Sequence, residues 1–165
     1  MPMIAELDLD PIWITKNKLK ERDDVKPKFT DIPLYGSIAA GTPIKMFPVD
    51  ETHPIPTEVH NEYPDAFLLK ANGDSMNRII PNGCYVLVDP YEMVEHDGKP
   101  RAVCVNGFDA TAKRAHKLAN GLELAPNSTD STFRPTAYDY GELGTEEITV
   151  IGHVLWHTLP FEWRF

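Results

Sequence analysis

The chain has 165 residues, with 16 Lys plus Arg against 25 Asp plus Glu, a formal charge of −9 and a pI near 5.0. That size predicts one compact domain, and the acidic balance argues against a large phosphate-binding surface, because non-specific affinity for nucleic acid comes mostly from Lys and Arg. Hydrophobic residues at 42% suffice for a packed core, while no apolar stretch approaches the ~20 residues of a membrane-spanning helix, so a soluble globular protein is expected, with no membrane association and no direct DNA contact by this chain.

The N-terminus, Met1-Pro2-Met3-Ile4-Ala5-Glu6, lacks the basic start and apolar run of a secretory signal, and the cytoplasm is the expected compartment. Residues 1–30 hold six acids and six bases and are neutral, so residues 31–165, with 10 bases and 19 acids, carry the whole −9. Lys16 to Lys28 is almost purely polar, of mixed charge, with Pro27 near its end, and cannot bury enough apolar surface to fold alone. Residues 1–30 therefore read as an arm or linker ahead of a globular unit over 31–165.

After Asp31 short apolar runs alternate with turn residues. The pattern predicts strands at Ile32–Ile38, Ala66–Lys70, Tyr85–Asp89, Ala102–Val105, Ala110–His116, Leu122–Ala125 and Ile148–Trp156. Between them Pro81-Asn82-Gly83, Asp97-Gly98, Asn106-Gly107 and Asn120-Gly121 are strong turn signals, the last two being the Asn-Gly pair favoured in tight hairpins. The one helix candidate begins near Ser75 and is stopped by Pro81. The expected fold class is mostly β, of short strands with at most one short helix. Cys84 and Cys104 each sit in a β-like apolar run, which favours free buried thiols over a disulfide.

Most familiar chemical signatures are missing: no phosphate-binding Gly-x-x-x-x-Gly-Lys, no Cys-x-x-Cys, no His-Glu-x-x-His and no Gly-x-Ser-x-Gly. His153 and His157 share a four-residue spacing, but on a strand that separates them by about 13 Å, too far for one metal. No metal and no cofactor are expected.

Two segments carry possible chemistry. In Gly73-Asp74-Ser75-Met76 a strand ends in a turn that presents a serine at a helix start, where unpaired backbone N–H groups can stabilise an oxyanion. In Ala110-Thr111-Ala112-Lys113-Arg114 a lysine falls among small apolar residues, and a desolvated lysine loses proton affinity and can act as a neutral general base. Taken singly, Ser75 reads equally as an N-cap and Lys113 as a solvent-facing strand lysine.

In order, Pro33-Leu34-Tyr35-Gly36-Ser37-Ile38-Ala39-Ala40-Gly41, Gly73-Asp74-Ser75-Met76, Ala112-Lys113-Arg114 and Leu122-Glu123-Leu124-Ala125-Pro126-Asn127-Ser128 resemble the self-cleaving domain of the LexA-type serine peptidases. That family includes the LexA repressor, phage CI-like repressors and UmuD. Ser75 follows Ala40 by 35 residues (75 − 40) and precedes Lys113 by 38 (113 − 75), close to the family's spacing, and the likeness covers roughly residues 32–160. It implies a fold of short, highly twisted antiparallel strands. It further implies a Ser75–Lys113 dyad, an oxyanion site made by the backbone N–H groups of Ser75 and Met76, and self-cleavage between Ala40 and Gly41, at a rate that rises with pH.

The same resemblance implies a homodimer, with a RecA–single-stranded-DNA filament or an antirepressor as inducer. Residues 1–30 are too short and polar for a helix-turn-helix domain. The readings are thus the C-terminal domain of a LexA/CI-like repressor responding to DNA damage, a UmuD-like protein whose arm is removed, or a non-cleaving dimerisation module bound by an antirepressor. Pro11-Ile12-Trp13-Ile14 and the polar linker favour the repressor. Trp156, Phe161, Trp163 and Phe165 near the C-terminus suit a subunit edge or ordinary core aromatics.

Overall fold

The computed structural model describes residues 27–38, 46–91, 93–95, 97–107 and 110–163. Nine strands form one sheet: β1 (Phe29–Ile38), β2 (Met46–Pro56), β3 (Phe67–Lys70), β4 (Tyr85–Pro90), β5 (Pro100–Val105), β6 (Ala110–Leu118), β7 (Gly121–Ala125), β8 (Thr136–Asp139) and β9 (Ile148–Thr158). Their order across the sheet is β2-β1-β3-β4-β9-β5-β6-β7-β8. The protein is mostly β, as the strand pattern predicts. All pairings are antiparallel except β1 with β3, where Leu34 lies beside Leu68. That one parallel pair is a departure from the antiparallel expectation, and it follows from the return route through β2 and the helix α1 (Thr57–Glu62), which brings the chain back in its original direction.

Period-2 alternation divides the side chains between the faces. In β3, Phe67 and Leu69 join one cluster with Met76, Ile80, Val86 and Val88, while Leu68 joins Ile32, Leu34, Ile55 and Leu87 on the other side. In β5, Ala102 and Cys104 belong to the first cluster and Val103 to a third, with Ala115 and Leu124. Central strands buried on both faces read as continuous apolar runs, which is why β3 to β5 stand out in the sequence. Cys84 and Cys104 are free and buried.

Two strands have no counterpart among the predicted elements, and both are edges. β2 contains Pro48, Pro54 and Pro56, which an outermost strand accommodates because its outward N–H groups need no partner. β8 is short and mostly exposed, so it shows almost no apolar signal. The helix is also a correction: α1 lies at Thr57–Glu62, and the segment after Ser75 is a turn. There Ile79 and Ile80 both donate to Met76 O, at 3.0 and 2.8 Å, and Pro81 stops the chain before a second turn forms.

The hairpin chemistry is as the Asn-Gly pair at 106–107 requires. Asn106 and Gly107 both take positive φ, 53° and 72°, the left-handed conformation that these two residue types tolerate best, in the reversal between β5 and β6. Among the described residues no helix is long and apolar enough to cross a membrane. Near the C-terminus, Trp156 is 41% and Phe161 77% exposed, whereas Trp163 is half-buried; Phe165 lies outside the described residues, as do residues 1–26, where most of the expected arm falls.

Candidate active site

β3 ends at Lys70 and hands the chain to a turn braced from the far side. Ala71 N–H donates to Cys84 O at 2.8 Å, Gly83 N–H to Ala71 O at 2.7 Å, and Gly73 N–H to Asn82 Oδ1 at 2.8 Å. Gly73 and Gly83, with φ of 92° and 87°, supply the left-handed conformations that this reversal needs. Met76 and Ile80 then insert into the core and pin the turn, while Ser75, just before Met76, stays only half-buried at the surface.

Lys113 sits on β6 between Ala112 and Arg114, opposite Arg101 of β5. Its Nζ donates to Ser75 Oγ at 2.5 Å and to Thr111 Oγ1 at 3.1 Å. Thr111 and Lys113 are two apart on one strand and therefore share a face. Burial pushes the Lys113 amine below the ordinary lysine value of 10.5. The ion pairs among the described residues, Lys99 and Arg101 with Asp97, do not include Lys113, so no countercharge among those residues offsets that burial. A hydroxyl in contact with an amine depressed in this way can pass its proton to nitrogen.

A narrow cleft of about 30 Å³ opens beside this pair, walled by Ala71, Gly73, Ser75, Met76, Ala110 and Ala112 among others. Small side chains on the walls leave room for little more than a small residue or one or two waters. The amides of Ser75 and Met76 donate to no acceptor among the described residues, which leaves both available to an anion in the cleft. Ser75, Lys113 and Met76 are therefore brought together. Ala40 and Gly41 lie outside the described residues, so the structure does not place them. Among the described residues no three His, Cys, Asp or Glu side chains gather as a metal site would require.

Residues 33–155 match the Peptidase S24-like family model. The chain belongs to that family. Peptidase S24-like relatives include the LexA repressor of Lactobacillus helveticus, 31% identical over 138 residues, which cover 82% of this chain and 61% of that repressor. The LexA repressor of Corynebacterium glutamicum is 32% identical over 122 residues, 73% of this chain and 50% of that one. For the LexA repressor of Corynebacterium jeikeium the figures are 35% over 133 residues, 79% and 45%. The chain thus spans about half the length of the curated relatives it matches.

Residue-by-residue reading overlooks three contributors. Thr111 carries a legible signal, a hydroxyl two residues before a strand lysine. Arg114 and Asn127 belong to motifs visible in the sequence, but the contact between them joins residues 13 apart and has no local signature.

Proposed function

We propose that this chain is the self-cleaving and dimerisation domain of a LexA/CI-like transcriptional repressor, cutting its own Ala40–Gly41 bond through a Ser75–Lys113 dyad in response to DNA damage. The observation that carries this reading is the 2.5 Å contact between Lys113 Nζ and Ser75 Oγ, with the amine held below its ordinary value by burial.

Neutral Lys113 takes the Ser75 hydroxyl proton as Oγ attacks the Ala40 carbonyl carbon. The oxyanion accepts from the amides of Ser75 and Met76. Collapse breaks the Ala40 C–Gly41 N bond, and the Lys113 ammonium gives its proton to the departing Gly41 amine, leaving an ester on Ser75. Neutral Lys113 then deprotonates a water that attacks the ester, releasing the Ala40 carboxyl group and restoring the serine. Thr111 Oγ1 keeps Nζ aimed at Ser75 throughout. Ala40 and Gly41 suit a cleft with little volume, since neither brings a large side chain against Ala71, Ala110 and Ala112.

The neutral base is needed at the first step, so the cleavage rate rises as Lys113 loses its proton and levels off above its lowered value, below 10.5. The purified chain is incubated across alkaline pH, and with RecA, nucleotide and single-stranded DNA. Two fragments divided after Ala40, absent in Ser75→Ala and Lys113→Ala, are the expected result. A chain that stays whole under every condition, or a rate flat with pH, refutes the proposal. Exposed Trp156 and Phe161 support a subunit interface near the C-terminus; Trp156→Ser is then expected to weaken self-association in sedimentation equilibrium. The −9 charge on residues 31–165 supports a reading in which other residues make any operator contact.

A further inference from the structure

The peptide group between Ser75 and Met76 is anchored from one side by a residue far along the chain. Ser75 O accepts from Asn127 N–H at 2.8 Å, and Asn127 O accepts from Arg78 N–H at 3.1 Å, so Asn127 is stitched by its backbone to both ends of the serine turn. Its side chain reaches back to β6. With Oδ1 turned to the guanidinium, Asn127 accepts from Arg114 Nε at 3.2 Å and Nη2 at 3.0 Å. Arg114 Nη1 donates to Gly98 O at 3.0 Å, which fixes the other side of the fork. A second clasp lies next to it: Asn77 Nδ2 donates to Thr129 Oγ1 and Thr129 N–H to Asn77 Oδ1, both at 2.9 Å. Residues 127–129 form a strut between the serine turn and the strand of Lys113, and Arg114 directly follows Lys113 in the chain.

In a trans peptide the C=O and N–H bonds point in opposite directions, and no cis peptide occurs among the described residues. Holding Ser75 O on Asn127 therefore aims Met76 N–H the other way. Ser75 and Met76 wall the cleft, whereas Asn127 does not. The geometry points to Asn127 as a positioning residue that sets the Met76 amide toward the developing oxyanion, with Arg114 locking Asn127 in register with Lys113. This rests on the peptidase reading given above. A hydrogen-bond donor held in advance costs no reorganisation when charge develops, whereas a peptide free to rotate loses that advantage.

The test is the self-cleavage rate of the full chain on its alkaline plateau, where Lys113 is neutral in every variant. Asn127→Ala removes the link to Arg114 and is expected to slow cleavage about 10- to 100-fold, approaching the loss seen when one oxyanion donor is deleted. Asn127→Asp offers the guanidinium two acceptor oxygens and is expected to stay within about threefold of the native rate. Arg114→Ala should slow cleavage like Asn127→Ala, and the double variant should be no slower than either alone, because both break one link. The midpoint of the pH–rate curve should not move in Asn127→Ala, since Lys113 keeps its burial and its contacts. A merely loosened fold would let water reach Lys113 and shift that midpoint up toward 10.5.

A plateau rate of Asn127→Ala within twofold of native, an upward midpoint shift, or an Asp variant as slow as the Ala variant each overturns the inference. Ser75→Ala and Lys113→Ala, run alongside, keep the two readings apart. If they still cut, the peptidase reading fails; if they stop while Asn127→Ala cuts at the native rate, only the strut fails.

Discussion

Replacing Lys113 with Met keeps a long unbranched side chain and removes the amine that burial disfavours. The native amine contacts Ser75 Oγ and Thr111 Oγ1 and has no carboxylate beside it among the described residues. Between its lowered value and 10.5, the folded chain binds fewer protons at this site than the unfolded chain does. Native stability therefore rises with pH across that window, by at most about 1.4 kcal/mol per pH unit for one proton, and below the window the full penalty is present. Lys113→Met lacks this dependence. It is expected to be the more stable protein at neutral pH, by at most about 1.4 kcal/mol for each unit by which burial lowers the amine and by less where solvent still screens this half-buried group, with the gap closing as pH approaches 10.5. Urea unfolding at a series of pH values measures this, with both proteins carrying Ser75→Ala so that the chain stays whole at alkaline pH. A constant gap across the window, or a lysine protein that is more stable at neutral pH, would show that Lys113 is not desolvated as described.

Thr111→Val removes one acceptor 3.1 Å from Nζ without changing side-chain shape. A lost hydrogen bond of about 1–1.5 kcal/mol corresponds to a plateau cleavage rate about five- to tenfold lower, and the pH midpoint should fall, because the hydroxyl favours the ammonium; single-turnover rates against pH check both. Gly152→Ala would place a methyl group 2.2 Å from Asp89 O and 2.8 Å from Val88 Cγ1, so β4 must shift. Urea unfolding should register a loss of about 1–3 kcal/mol. Burial pushes the Cys84 thiol up to about 11, so the folded protein should resist iodoacetamide at mildly alkaline pH while the urea-unfolded chain reacts; prompt labelling of Cys84 in the fold would contradict its burial.

The central strands were legible because their information is local. Tyr85–Asp89 and Ala102–Val105 are apolar on both faces, and Asn106-Gly107 specifies a reversal through its own backbone preferences. The edges were not. β2 carries three prolines and β8 four largely exposed residues, and each is a strand only because a neighbour supplies hydrogen bonds along one side. The turn after Ser75 looked like a helix start because helix and turn share their first hydrogen bonds, and only the anchoring of Met76 and Ile80 in the core ends it there.

By itself the sequence determined the β class, the acidic balance of residues 31–165 and the residue types able to exchange a proton at Ser75 and Lys113. Those properties reside in composition, period and turn chemistry, which a chain carries before it folds. Only the tertiary structure decided that two groups 38 residues apart meet at 2.5 Å, that burial takes the amine partly out of water and that Asn127 N–H holds the Ser75 carbonyl. Contact and desolvation are properties of packed elements, and no stretch of the chain read alone contains them.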